Sequence, residues 1–578
     1  MTAPDARAVA VVTFDDRFRP GPLRPLRRSG DDWIGEVAEG AVYGLVADGE
    51  GPRFDPSKVL LDPRATEVVF WPDGGPLGVA RRAPPARQGR RTTRAPVVYE
   101  AHVRGLTRLA DVEHPGTYAA LTQQLPRLAA LGVSVLELMP VHQGDPAEGS
   151  YWGYMPLNFG AVEHRYAASG DPTGELAALI AAAHDHDIEV WLDVVFNHTV
   201  EIDASGPTHH LRGLSDAAYY RLRDDGSYIE TSGCGNDIDT TSPAAQDLIV
   251  WALNRLADLG VDGFRFDLAA IVARDGGFVE RLDRWAEERA VRMIAEPWDA
   301  AGTYLLGRAW PGRGWLQWND RFRKDVRGFL RGEPGLIDVL QLRLQGSPDV
   351  FDSPLHSINY VACHDGFTLY DLVAYDRKHN EANGHGGRDG SDHNRSWNCG
   401  WEGDDGAPPE VMELRRRQLR NAWCLLALSH GVPMFAMGDE FGRTQGGNNN
   451  PYNQDNETSW VDWARAAEFA DLERFATSLL ALRHRHPVLS QPAWWDDAVR
   501  WFGTDRPPDL GPQSRSLAWT VGDLYVIANA WWEPLDFRIQ VPGPWRRVVD
   551  TSLPDADAAE VDASYVVGPR SVVVLERP

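Results

Sequence analysis

Two runs decide the fold: VDGFRFDLA (residues 261–269) and VRMIAEPWDA (residues 291–300), joined by a segment containing FVERLDRWAEE (residues 278–288). Each run is short, apolar and bounded by turn residues, with a carboxylate near its C-terminal end, while the segment between them has helical periodicity. The pattern is strand, helix, strand, and the connection is long enough for a parallel crossover. Alternation along a strand puts Arg265 and Asp267 on one face, where their charges can meet. A guanidinium within about 4 to 6 Å favours the ionised carboxylate that a nucleophile requires. Glu296 lies between Ala295 and Pro297 with Trp298 nearby, an apolar setting that raises a carboxyl pKa and suits a general acid.

Outward from this unit the same alternation recurs. VVYEAHV, VSVLELMPV and IEVWLDVVF precede it, GWLQWND, SINYVACHD and VPMFAMGDE follow it, and helical segments such as TGELAALIAAAHDHD and PAAQDLIVWALNRLADLG lie between. Eight candidate strands separated by helices predict an α/β architecture, a closed (β/α)8 TIM barrel, whose chemistry belongs at the C-terminal strand ends. Those ends carry His102, Asp193, Asn197, His198, Arg265, Asp267, Glu296, His364 and Asp365. Strands covered by helices should be apolar, so this concentration of polar groups marks a functional cluster.

The flanks read differently. Residues 1–75 alternate short apolar runs with Gly, Pro and Asp, as an N-terminal β-sandwich module would, and residues 76–96 are a Pro-, Gly- and Arg-rich linker whose arginine run reads as a solvated connector. The barrel is expected over 97–489, with a small insert at about 199–241 over its mouth, and a C-terminal β-sandwich over 490–578. At 578 residues the chain has room for these units. A net charge of −25 argues against nucleic acid and anionic membranes as partners. Cys234, Cys363, Cys399 and Cys424 lack metal or disulfide spacing and read as reduced thiols. No secretion signal or spanning segment is visible, so a cytoplasmic location is expected. The 22 Trp, 16 Tyr and 19 Phe are many, and flat sugar faces stack on such rings, although most aromatics simply fill cores. The glycine-rich GHGGRDG fits no nucleotide-binding pattern.

DVVFNH (193–198), DGFRFDLA (262–269), AEPWD (295–299) and VACHDG (361–366) resemble, in order, the four signature regions of the α-amylase family, glycoside hydrolase family thirteen. YWGYMPLNF, the CHDGFTLYDLVAYDRKHNEANGHGGRDG stretch and GDEFGRTQGGNNNPYNQDNETSWVDW resemble its isoamylase-type, glycogen-debranching branch. The resemblance implies Asp267 as nucleophile, Glu296 as acid and then base, and Asp365 as third carboxylate. It implies Arg265, His198 and His364 as sugar-contacting or orienting groups, Tyr154 as a stacking platform, Trp298 as a substrate contact, and a glycogen-binding-type N-terminal module.

The implied reaction is retaining hydrolysis of α-1,6 branch linkages in glycogen or limit dextrin, with no cofactor. A 4-α-glucanotransferase, an α-1,4-acting hydrolase and a non-catalytic glycan-binding scaffold remain as alternatives. Asn197 stands where many members of the family place a calcium ligand, but 199–241 offers no recognisable set of the about six to eight oxygens required, so no metal is expected.

Overall fold

The computed structural model describes residues 1–50, 53–71, 74–82, 84–89, 96–310, 314–553 and 557–578. Eight parallel strands close into a barrel. In chain order they are β1 (Val98–Ala101), β2 (Val135–Leu138), β3 (Glu189–Val194), β4 (Gly263–Phe266), β5 (Arg292–Ala295), β6 (Leu316–Asn319), β7 (Ser357–Tyr360) and β8 (Val432–Ala436). Each pairs with its chain neighbour, and β8 closes on β1 through Met434 opposite Val98. All eight lie within the runs that the sequence predicts.

The helix between β4 and β5 spans Gly276–Arg289 and buries Phe278, Val279, Leu282, Trp285 and Ala286, a single stripe facing the sheet. Asp275 caps its N-terminus by accepting from the Gly277 and Phe278 amides at 2.8 and 3.4 Å.

Strand alternation sorts the barrel residues into two environments. Tyr99, Leu136, Val190, Leu192, Phe264, Phe266 and Ala295 pack outward in the large helix-covered core. Val98, Val135, Trp191, Ile294, Leu316, Trp318, Ile358, Tyr360, Val432 and Met434 fill the interior as a separate apolar cluster. Two positions further along β1 to β4, on the same inward parity, stand Glu100, Glu137, Asp193 and Arg265, all buried. The barrel is therefore apolar at one level and charged at the next, nearer the C-terminal strand ends. Gly263 makes that layering possible, because a Cβ there would lie 2.7 Å from Cδ1 of the buried Trp191.

On the N-terminal side an antiparallel five-stranded sheet, whose longest strands are Ala6–Phe14 and Val42–Gly49, is joined by the hairpin Arg27–Ser29 with Asp32–Ile34. Its last strand in sequence, Gly75–Val79, pairs with Glu67–Trp71. The arginine run at 90–95 and residue 83 of the expected linker lie outside the described residues. Arg87 hydrogen-bonds along the barrel helices, to the carbonyls of Asp258 and Ala177.

The insert at 199–241 reaches in two directions. Its helix Leu211–Tyr219 docks on the N-terminal sheet, with Leu214 entering that core and the Tyr219 hydroxyl donating to the Thr2 carbonyl at 2.7 Å. Its far end returns to the barrel, where Thr231 accepts from the Ala300 amide at 3.1 Å, just past β5.

At the C-terminus a six-stranded antiparallel sheet faces a two-stranded one, Leu535–Arg538 with Ser564–Val567. Tyr525, Ile527, Val573 and Leu575 meet Phe537 and Val567 between these sheets, while the alternate residues Leu524, Val526, Val572 and Val574 join the core of the barrel. Both faces of the large sheet are thus covered.

Gly263→Ala should drive a methyl group into the Trp191 indole and lower stability by about 1–3 kcal/mol, the usual cost of overpacking a tight core. Urea denaturation checks this; an unchanged midpoint would show that the interior can yield at this point.

Candidate active site

The site is built from the ends of β1, β3, β4, β5 and β7 and organised by one side chain. Arg265 is fully buried on β4. Its Nη1 donates to both oxygens of Asp193 on β3 at 3.0 Å and to Asp267 Oδ1 at 3.1 Å, and its Nη2 lies 3.2 Å from Glu296 Oε2. The guanidinium carbon sits 4.3 Å from the centroid of the Trp318 ring beneath it, a cation–π contact in a desolvated setting. The parallel register explains the convergence: Asp193 is opposite Arg265, and Phe266 is opposite Ala295, so Asp267 and Glu296 follow as neighbours.

Asp267 is held at both oxygens, since Oδ2 accepts from Asn197 Nδ2 at 2.7 Å while Oδ1 takes Arg265. Directly after it the chain turns at Leu268, whose φ of +42° is left-handed. That turn points the Leu268 amide at Glu296 Oε2, 2.8 Å away. Glu296 Oε1 makes no protein hydrogen bond among the described residues. Burial pushes the Glu296 carboxyl up to about 7; Arg265 pulls the other way, and Asp267 adds to the rise. Burial likewise raises Asp193 to about 6 against the pull of Arg265.

His364, beyond β7, is oriented from β1. Glu100 accepts from its backbone amide at 2.7 Å and from its Nδ1 at 2.6 Å. Burial disfavours the imidazolium, but the Glu100 carboxylate outweighs burial and the His364 pKa is raised. The His364 ring stacks on Tyr154 at 5.0 Å and 25° and meets Trp152 edge-on at 5.0 Å. Tyr154 donates its hydroxyl to Asp193, and its carbonyl lies 2.6 Å from Nε2 of the buried His198. The other His198 ring nitrogen meets the Asn197 amide oxygen. Half-buried Trp298 packs against the apolar barrel cluster, with its amide on the Glu296 carbonyl at 3.0 Å.

Asp365 stands apart from this network. It is exposed, and among the described residues no hydrogen bond or ion pair joins its side chain to Asp267 or Glu296. It lies on the wall of an open chamber of about 790 Å³, together with Gly366 and Arg323.

Arg265, Asp267, Glu296, His198, His364 and Tyr154 are therefore brought into one continuous network. His102 has a different place: its Nδ1 caps the short helix Val103–Thr107 and its Nε2 lies 2.7 Å from the Tyr151 carbonyl. Sequence reasoning did not single out Glu100 or Glu137. Glu137 is fully buried on β2 with both carboxyl oxygens unpartnered among the described residues, and burial, followed by the charges of Asp193 and Glu100, raises its pKa well above the usual range. Their signal was the inward parity itself, a charged residue two places after Val98 and Val135. No group of three or more His, Cys, Asp or Glu side chains able to hold a metal ion occurs among the described residues.

A buried carboxyl pair at the C-terminal end of a parallel barrel is the arrangement that a glycoside hydrolase requires. Residues 87–225 match the Alpha amylase, catalytic domain family. The chain is 39% identical to a glycogen operon protein GlgX homolog of Mycobacterium tuberculosis, over 84% of this chain and 75% of the relative. It is 40% identical to a glycogen debranching enzyme of Dickeya chrysanthemi, over 94% and 91%. A pullulanase from Bacillus acidopullulyticus shares the fold, with a TM-score of 0.82 at 23% identity over 100% of this chain and 73% of that one. The chain belongs to the isoamylase-type, glycogen-debranching family within the α-amylase group of glycoside hydrolases.

Glu100→Gln removes the charge that lifts the His364 pKa and leaves the burial that lowers it. His364 should then titrate below the ordinary 6.5 of histidine instead of above it, as read by NMR of ring-labelled protein. An unmoved midpoint would remove Glu100 as the group that tunes this ring.

Proposed function

We propose that the protein hydrolyses α-1,6 branch linkages of glycogen or a related α-glucan with retention of configuration, in the cytoplasm. One observation carries the reading: Asp267 and Glu296 are bound to the two amino groups of the same guanidinium on adjacent strands. Adjacent strands lie about 4.8 Å apart, which favours the about 5 to 5.5 Å carboxyl spacing of retaining enzymes over the wider spacing of inverting ones. The names of the relatives, glycogen debranching enzyme and isoamylase, support the choice of linkage. A net charge of −25 and four free cysteines fit a neutral polymer in a reducing compartment, and no described helix is long and apolar enough to cross a membrane.

In the first step the Asp267 carboxylate attacks the anomeric carbon while Glu296 gives its proton to the glycosidic oxygen. The C–O bond breaks, and the unbranched chain leaves with a free hydroxyl. Glu296 suits this role because its raised pKa keeps it protonated near neutrality and because Oε1 is uncommitted to the protein. Glu296, now a carboxylate, then takes a proton from water, which attacks the same carbon and releases Asp267. Arg265 keeps two donors on the paired carboxylates throughout. Tyr154, His198, His364 and Trp298 would line the glucose unit at the cleavage point, and Asp365 would approach its hydroxyls from the chamber wall.

Incubation with glycogen and with a pure short maltooligosaccharide, followed by chromatography, tests the reaction. Linear chains should appear from glycogen, and the short sugar should not be elongated; longer products would mark a transferase, and no increase in reducing ends a binding scaffold. The acid form of Glu296 is required and its pKa is about 7, so kcat/KM should be highest below that pH and fall as pH rises through it. Glu296→Gln should cost about 10²–10⁴-fold on glycogen and far less on a substrate with an activated leaving group. Equal losses on both substrates would displace Glu296 as the acid.

A further inference from the structure

The helix after β6, Asp320–Arg331, reads DRFRKDVRGFLR and carries Arg321, Arg323, Lys324, Arg327 and Arg331 against two aspartates. In a chain of net charge −25, such a cationic stretch calls for a reason. Arg321 lies 3.5 Å from Asp349, and Asp325 is taken by Arg343 at 3.2 Å. Arg323, Lys324 and Arg327 have no carboxylate within ion-pair distance among the described residues. All three line the chamber of about 790 Å³ that also holds Asp365.

Arg323 and Arg327 pack against the protein, while Lys324 is exposed. The Arg323 guanidinium carbon rests 5.4 Å from the centroid of Tyr360, at the end of β7, and the group makes no hydrogen bond to the protein among the described residues. Arg327, one turn on, is 93% buried. It donates to the carbonyls of Val361 and Asn394 at 2.7 and 3.2 Å, and its Nη2 is shut off from the surface, with no hydrogen-bond partner among the described residues. Burial, with Arg323 adding to it, lowers the Arg327 pKa to about 9. Arg331 and Arg395, also on the wall, share one carboxylate, Glu333, at 3.5 and 3.4 Å.

The acids facing them are partly occupied: Asp392 is 2.9 Å from Lys378, and Asp320 accepts from the Tyr304 hydroxyl at 2.6 Å. Asp365 and Asp376 complete the acidic side. No Trp, Tyr or Phe is on the wall among the described residues, so the chamber lacks the broad rings on which neutral sugars stack. Unpaired guanidinium groups held beside a sugar-cleaving centre match a bidentate, doubly charged oxyanion.

We infer that this chamber is a phosphate subsite. Arg323 and Lys324 receive the phosphate monoester of a glucose unit, either one carried on the glucan chain or a free sugar phosphate, next to Asp365, and Arg327 adds positive charge from behind them. The inference rests on the glucan-cleaving reading for its sugar moiety; its charge recognition rests on the chamber alone.

Calorimetric titration of the full chain with inorganic phosphate, glucose 6-phosphate and glucose tests it. Both phosphates should bind and glucose should not compete with them. Arg323→Gln, which breaks no hydrogen bond within the protein, should weaken both by about ten-fold or more, the loss of one charge-assisted contact. Arg327→Gln should weaken both by less, through the lost charge, and because it also releases two carbonyls, its fold is checked by circular dichroism. Initial rates on a phosphorylated glucan before and after phosphatase treatment identify the source. A lower KM for the phosphorylated polymer, lost in Arg323→Gln, places the phosphate on the chain; inhibition by glucose 6-phosphate alone places it on a free sugar.

The inference is overturned if neither phosphate binds, or if Arg323→Gln binds both as tightly as the unaltered chain. Asp267→Asn separates the two readings, because it should retain phosphate binding after hydrolysis is lost. If it still debranched, the catalytic assignment alone would fall.

Discussion

A single buried guanidinium holds the catalytic end of this barrel together. Arg265 faces Asp193, Asp267 and Glu296 at once, so one positive charge is divided among three acids. Full ionisation of all three in that volume would leave an uncompensated excess of negative charge, which a desolvated site penalises heavily. The arrangement resolves this by keeping a proton within the cluster. Glu296 is favoured to carry it, because Asp267 is held at both oxygens by donors while Glu296 has one oxygen free. A proton held there for electrostatic reasons is also the one that the proposed glycosidic cleavage would use.

The barrel beneath supports this division. Trp191, Trp318, Ile294 and Ile358 fill the lower interior, so the charged layer above rests on a dry floor where electrostatic interactions are strong. Glu137 and Glu100 extend the charged layer to the remaining strands. Glu137, with no partner for either oxygen among the described residues, is pushed toward its neutral form by burial. Glu100 pairs with the His364 Nδ1. The stack of His364 and Tyr154, and the Tyr154 hydroxyl on Asp193, ties the first strand back to the third, so the rim behaves as one connected polar ring.

Much of this was legible in the sequence because a barrel is governed by two local periods. Alternation along each strand and helical spacing between strands located all eight strands, and the shared parity of Arg265 and Asp267 foretold their contact. The sharing of Arg265 with Asp193 and Glu296 was harder to foresee, since it depends on register between strands some 70 and 30 residues apart in the chain. Glu100 and Glu137 were passed over because each is a single charge in an apolar run, and only closure of the barrel shows that both face inward. The reach of the insert toward the N-terminal sheet depends on Leu214, which enters the core of that sheet, and on Tyr219, whose partner Thr2 lies 217 residues away in the chain. The chamber beside Asp365 is walled by the helix Asp320–Arg331 on one side and by loops without period on the other, so its charge could be counted in the sequence but not located.

The central claim is that Asp267, held by Arg265, forms the covalent bond to the sugar while Glu296 supplies the proton. Its most direct test is mass spectrometry of the peptides after the enzyme is quenched during turnover of a slow, fluorinated α-maltosyl donor. The account predicts a glycosyl group on the peptide containing Asp267 and on no other. Attachment at Glu296 or Asp365, or no covalent adduct with a product released in the inverted configuration, would contradict it.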